Sequence, residues 1–239
     1  MPPELQNQQP VFTGNTANAD IADIAVQHNK VLRSTYLLLA VSLIPTIVGA
    51  AIGTSLFDFT FLRASPIMAS IAILAVFYGW IYMIERNKNT SLGLYLLLGF
   101  TFCMGLLLGP LLQKTLGFRN GGQLVMIAAG GTAGVFFILA GIAANVKRDF
   151  SFLNKFIVVG VIVAMLAVVA NIFLQMPAVS MALCGAFIIL SSAIILWQIN
   201  SIVRGGETNY ISATLTLYIS IYNIFTSLLQ LLGIGGDRD

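Results

Sequence analysis

The sequence predicts an all-α membrane protein, a bundle of seven transmembrane helices. Three observations carry that prediction. First, the 12 basic and 9 acidic residues all fall outside six uncharged runs: Ser34 to Phe57, Ala64 to Ile84, Asn89 to Gln113, Asn120 to Val146, Phe156 to Val203 and Thr208 to Gly236. A charge at the bilayer centre costs at least about 2.5–3.5 kcal/mol, so long runs without one read as membrane spans. Second, 9% of the chain is charged and 58% is hydrophobic, with a mean hydropathy of +0.91. A soluble domain carries about 25% charged residues, so little sequence is left for one. Third, sustained apolar/polar alternation over strand lengths is missing, which argues against a transmembrane barrel.

Residues 1–33 read as an N-terminal tail. Its first half, with Gln6, Asn7, Gln8, Gln9, Pro10, Gly14 and Asn15, has the composition of a disordered segment. From Asp20 the pattern changes, and Ile21, Ile24, Ala25, His28 and Leu32 recur near one helical face. With Asp20 as a candidate cap, this predicts a helix at the membrane surface that leads into the first span. The same stretch is a candidate handle for a partner on that side of the membrane.

The transmembrane domain is expected over 34–236, with spans at about 34–57, 64–84, 90–113, 121–146, 153–175, 178–202 and 210–233. About 20 helical residues cross roughly 30 Å of hydrocarbon, so five of the six runs each make one crossing. The 48 residues of the Phe156–Val203 run would reach about 72 Å as one helix. That run must fold back, and Gln175-Met176-Pro177 is its natural corner, because proline lacks a donor and disfavours a helical residue before it. Pro45 in the first span and Gly109-Pro110 late in the third predict bends. Glycines four apart, at Gly49 and Gly53, Gly105 and Gly109, and Gly130 and Gly134, let helix backbones approach closely and predict tight packing inside the bundle.

Lysine and arginine counts set the orientation. Lys30, Arg33, Arg86, Lys88, Lys147, Arg148, Lys155 and Arg204 fall on the N-terminal side, against Arg63, Lys114, Arg119 and Arg238 on the other. The expectation is a multi-pass membrane protein with its N-terminus in the cytoplasm and its C-terminus outside. Residues 1–4 lack the basic region and adjoining apolar segment of a cleavable signal, so none is expected. The net charge of +3 belongs to loops and does not describe a nucleic-acid surface. Cys103 and Cys184 fall in separate spans, with no metal-ligand spacing.

The last span carries a polar stripe: Asn209, Ser212, Thr216, Ser220, Asn223, Ser227 and Gln230 are three or four residues apart and share one helical face. Amides facing lipid would lack partners at a cost of several kcal/mol each, so the stripe is expected to turn inward. Candidate partners are Asn171 and Gln175 in the fifth span and Ser191, Ser192, Gln198 and Asn200 in the sixth. Hydrogen bonding between helices is one reading, and a path for ions or water is the other.

Several enzyme classes lack their residues. The single histidine, His28, lies in the tail, and no predicted span holds Asp, Glu or His. An intramembrane serine, aspartyl or zinc protease therefore has no base, carboxylate pair or ligand set. Lys30, Lys88, Lys114, Lys147 and Lys155 fall in the tail, in loops or at the edge of a span, so no lysine is buried for a retinal Schiff base, and no glycine loop precedes a Lys-Ser/Thr pair. Gly205-Gly206-Glu207 reads as a short turn, with Arg204 and Glu207 marking the membrane surface. A protein that is not an enzyme, with no catalytic residue, cofactor or metal, is expected.

The run Arg204-Gly205-Gly206-Glu207-Thr208-Asn209-Tyr210-Ile211, continuing through Leu217-Tyr218-Ile219-Ser220-Ile221-Tyr222-Asn223-Ile224-Phe225 to Leu228-Leu229 and Leu232-Gly233, resembles the terminal signature of the Bax inhibitor-1 family, nearest its proteobacterial branch. His28 to Tyr36, Gly130-Gly131-Thr132-Ala133 before Phe136-Phe137, and Ala170 to Gln175 extend the resemblance over nearly all the chain after residue 27. It implies a seven-helix bundle with the C-terminal helix central and a cytoplasmic N-terminus. For this branch it implies binding to a membrane-anchored, ATP-dependent protease of the FtsH type and its membrane partners, restraining degradation of membrane proteins, with the tail as the point of engagement. A partnership with the protein-translocation machinery is a weaker implication.

Other members of the family leak calcium under the control of two acids that share a proton. The positions equivalent to that acid pair are Gln198, in Trp197-Gln198-Ile199-Asn200, and Ser220, in Leu217-Tyr218-Ile219-Ser220. Neither side chain titrates near neutral pH. The expectation is a pH-insensitive bundle, latched by an amide–hydroxyl hydrogen bond between these two, and acting as a binding partner. A calcium leak is the alternative.

Overall fold

The computed structural model describes residues 14–55, 66–145 and 150–236. Among these there are eight helices and no strand: α1 (Gly14–Ser55), α2 (Pro66–Arg86), α3 (Ser91–Leu107), α4 (Gly109–Leu116), α5 (Gly121–Asn145), α6 (Ser151–Leu174), α7 (Pro177–Val203) and α8 (Tyr210–Gly236). With α3 and α4 joined, seven helical stretches are long and apolar enough to cross a membrane. This is a seven-helix, multi-pass membrane protein.

The first helix departs from expectation. All 42 residues of α1 form one continuous helix, about 63 Å long. It begins before Asp20, which lies inside the helix instead of capping it, and Gly14 and Asn15 are helical. Ala17, Ala19, Ala22 and Ala25 supply the helix propensity that offsets Gly14 and the asparagines. The expected disorder of residues 1–13 lies outside the described residues. Charges also sit nearer the spans than the sequence suggested: Lys30, Glu85, Arg86, Lys114 and Lys155 all lie within helices, close to where the apolar stretch begins or ends.

The turns follow from their residues. Gln175 takes a left-handed conformation (φ 49°, ψ 38°), Met176 is extended, and Pro177 opens α7. That is the fold-back the long apolar run required. At Gly109-Pro110 the third span breaks at Leu108 and restarts as α4. After α7, Gly205 has φ 77°. The N–H groups of Gly205 and Gly206 return to the carbonyls of Ile202 and Ser201 at 3.1 and 2.8 Å, a Schellman closure that only glycine makes without strain.

Helix α8 packs against α1, α3, α4, α5 and α7, and α1 against α3 forms the most extensive seam. The core gathers Leu38, Leu39, Ile84, Leu97, Phe100, Ile195, Ile199, Leu217, Tyr218 and Ile224. Helices α2 and α6 lie at the periphery, touching mainly α3 and α7, with Tyr78 Oη donating to Met165 Sδ at 2.9 Å between them.

The glycine pairs of the sequence behave differently. A Cβ added at Gly49 would strike the carbonyl oxygen of Phe102, and one at Gly105 that of Thr46. At Gly53 it would lie 2.5 Å from Leu106 O. These glycines let α1 and α3 meet backbone to backbone. A Cβ at Gly130 or Gly134 would meet nothing within 4 Å. Packing inside the bundle, expected for that pair as well, is not what α5 does with it: Ala128 and Thr132 face inward instead.

Candidate functional site

The best-defined polar constellation surrounds α8. At its start Asn209 caps the helix, its Oδ1 accepting from the N–H groups of Ile211 (2.9 Å) and Ser212 (3.1 Å). Its Nδ2 donates to Lys88 O (3.1 Å) and Asn89 Oδ1 (2.8 Å), tying α8 to the α2–α3 turn. Glu207 does more than mark a surface, since its Oε1 accepts from Asn209 N–H at 2.8 Å. Ser212 Oγ donates to Glu85 Oε1 at 2.7 Å, and Glu85 Oε2 pairs with Lys88 at 3.1 Å. One end of the bundle is closed by this network, and the carboxylate keeps partners on both oxygens.

Deeper in the bundle the stripe satisfies itself. Thr216 Oγ1 donates to Ser212 O and Ser220 Oγ to Thr216 O, at 3.1 and 2.8 Å, each one turn back on α8. Ser212, Ser220 and Ser227 are buried, Thr216 and Asn223 half-buried, and Gln230 exposed, accepting from Cys184 Sγ at 3.2 Å. Short hydroxyl side chains reach their own helix carbonyls more easily than a neighbouring helix.

The candidate partners are dispersed. Asn171 bonds Ser180 Oγ (2.8 Å) and accepts from Met176 N–H (3.2 Å), building the α6–α7 corner with Gln175. Asn200 Oδ1 accepts from Phe150 N–H at 3.3 Å. Ser191 Oγ and Gln198 Nε2 are buried without a hydrogen-bond partner. The amide–hydroxyl latch between Gln198 and Ser220 is therefore not made: the Gln198 N–H groups find no acceptor, and the Ser220 proton goes to Thr216 O.

A buried donor left unpaired costs about 1–3 kcal/mol, and an apolar replacement of similar shape removes that cost. Gln198→Met is thus expected to leave stability unchanged or raise it, read as the unfolding temperature of the solubilised protein. A loss beyond about 1 kcal/mol would mean that the amide holds a buried water.

Two tyrosines join α8 to α1 and α3. Tyr218 Oη lies 2.8 Å from Thr46 Oγ1 on α1 and donates toward Thr101 O on α3 at 3.3 Å. Thr46 Oγ1 also reaches Ser42 O (2.9 Å) and Thr101 O (3.1 Å). Tyr222 Oη donates to Met104 O at 3.3 Å, and Thr214 Oγ1 to Thr35 O at 3.3 Å. Pro45 was the available signal, since its missing N–H marks the stretch of α1 where side chains and neighbours must satisfy the backbone.

Among the described residues no group of three or more His, Cys, Asp or Glu could hold a metal. The constellation is suited to holding helices together and presents no nucleophile beside a base.

Comparison with known proteins agrees with that character. The family described as inhibitor of apoptosis-promoting Bax1 matches residues 28–237. An uncharacterized protein of Neisseria meningitidis serogroup A is 43% identical over 208 residues, 87% of this chain and 92% of the relative. The Escherichia coli K12 protein named Modulator of FtsH protease YccA is 40% identical over 205 residues, 86% of this chain and 90% of its own. A Pseudomonas aeruginosa protein is 37% identical over 235 residues, covering 98% of this chain and all of the relative. The E. coli O6:H1 counterpart is named an inner membrane protein. The family description and the name of the E. coli K12 relative describe an inhibitor and a modulator and not an enzyme.

Proposed function

The chain belongs to the Bax inhibitor-1 family, and from that premise we propose that it binds and modulates an FtsH-type membrane protease, restraining degradation of other membrane proteins. The observation that carries this reading is the 40% identity, over 86% of the chain, to a protein named as a modulator of that protease. The protein lies in the inner membrane with its N-terminus in the cytoplasm, on the side richer in lysine and arginine. It has no catalytic residue of its own.

The mechanism follows from α1. Its N-terminal part extends ahead of the apolar stretch that begins at Asn29. A protease that takes hold of the tail pulls on a helix continuous with the glycine-packed α1–α3 seam. The bundle resists extraction, and the machine is occupied while it tries. A leak reading has no contact in its favour, since the family's acid positions hold Gln198 and Ser220.

Deletion of residues 1–27 tests this. The shortened protein is expected to lose co-purification with the protease and to have a longer half-life in cells, with its thermal unfolding unchanged because the apolar span is intact. Unchanged turnover and unchanged co-purification would sink the tail mechanism.

A further inference from the structure

At the end of the bundle where α8 terminates, several helix ends leave an open cleft of about 490 Å³. That is within the range of small-molecule sites, about 300–1,000 Å³. Lys114 from α4, Gln175 from the α6–α7 corner, Met181 from α7 and Ile234 from α8 contribute to its walls. One wall is firm, because the Asn171–Ser180 hydrogen bond and the Asn171 contact to Met176 N–H fix the corner.

Among the described residues that line this cleft, Lys114 is the only charged one. The Lys88–Glu85 ion pair lies at the opposite end of the bundle. An ammonium on a flexible stem is a point charge with three donors, suited to a phosphate.

Gln175 adds a second, independent sign. It stands at φ 49°, where glycine or asparagine is the usual occupant of a helix end. Glycine would make the same corner with less strain, yet a long amide stands there at the cleft. Residues in such conformations gather at ligand sites.

Depth and lining select the ligand. Lys114 is in the last turn of the α3–α4 span, Gln175 directly follows the α6 span, and Ile234 ends the α8 span. Ends of spans lie at the level of lipid headgroups, just outside the roughly 30 Å hydrocarbon layer. Met181 and Ile234 offer apolar wall, and Phe173 and Leu174 are largely exposed on the neighbouring flank of α6. A soluble anion has no use for those surfaces, but an amphiphile does.

We propose that this cleft holds an anionic phospholipid, its phosphate on Lys114 and the Gln175 amide and its acyl chain along the apolar flank of α6. The site is independent of protease binding and lies at the far end of the bundle from the tail.

The test uses the full chain in nanodiscs made of equal phosphatidylglycerol and phosphatidylcholine, with retained lipid counted by native mass spectrometry. The expected result is preferential retention of phosphatidylglycerol, lowered about tenfold by Lys114→Gln, the scale of one charge-assisted hydrogen bond. Gln175→Gly should also lower it while keeping or raising thermal stability, which separates lost binding from lost fold. If Lys114→Gln does not fold, Gln175→Gly alone decides. Equal retention of both lipids, or unchanged phosphatidylglycerol retention in the folded variants, overturns the proposal. So does displacement by inorganic phosphate at equal concentration, which would make the ligand a soluble anion.

Discussion

Gly105→Ala is expected to destabilise the bundle by about 1–3 kcal/mol, the usual cost of forcing added atoms into a filled interface. The identical substitution Gly130→Ala should shift stability by no more than about 0.5–1 kcal/mol, and in the stabilising direction, since alanine is the better helix former. The contrast rests on what each new methyl group would meet. At Gly105 it meets the Thr46 carbonyl oxygen and lies 3.0 Å from Ala50 N. Both are backbone atoms, held by the α1 helix, so α1 and α3 would have to part. At Gly130 it meets open space. Thermal unfolding in detergent, followed by the fluorescence of Trp80 and Trp197, reads both variants. Should Gly130→Ala prove as damaging as Gly105→Ala, α5 has a partner outside the monomer and the seam is not the special element described here.

The second large effect is expected at Tyr218. Truncation to alanine should cost about 3–5 kcal/mol, as for a buried aromatic ring, because Tyr218 is 1% exposed in the main core and its ring meets those of Phe100 and Tyr222. Tyr218→Phe keeps the ring and removes only the hydroxyl shared by Thr46 and Thr101. A net hydrogen bond is worth about 0.5–1.5 kcal/mol, so the phenylalanine variant should fall well short of the alanine one. Denaturant titration of the two variants separates packing from hydrogen bonding. If phenylalanine is as stable as tyrosine, the three-helix hydroxyl node contributes nothing and Thr46 is satisfied by Ser42 alone.

Much of the architecture was legible because a bilayer punishes charge and unpaired backbone, and both leave marks in a sequence. The spans, the corner at Gln175-Met176-Pro177 and the break at Gly109-Pro110 all follow from that. What could not be read was which surface each helix meets. Gly49-Gly53 and Gly130-Gly134 have the same spacing, yet only the first pair faces a backbone, supplied by Phe102 and Leu106 about fifty residues away. The polar stripe was visible, but its hydroxyls were assigned to other helices when their own carbonyls lie nearer. Tyr218 and Tyr222 lie outside the polar stripe, so the hydroxyls that reach α1 and α3 were not among its candidates. The start of α1 was missed because a polar run was equated with disorder, although its alanines favour a helix.

The Thr46–Tyr218 contact joins residues 172 positions apart, in the first and the last of the described helices. Six crossings can be inserted while Leu97, Phe100 and Thr101 still lack the surface that completes them. Bringing distant segments together costs entropy before any contact repays it, so bundle closure waits for α8 to arrive. A chain arrested before Tyr210 is inserted but unsealed, with Thr46 and the α1–α3 carbonyls turned toward lipid. The order of synthesis is thereby written into the assembly itself: only a chain that has delivered α8 can lock.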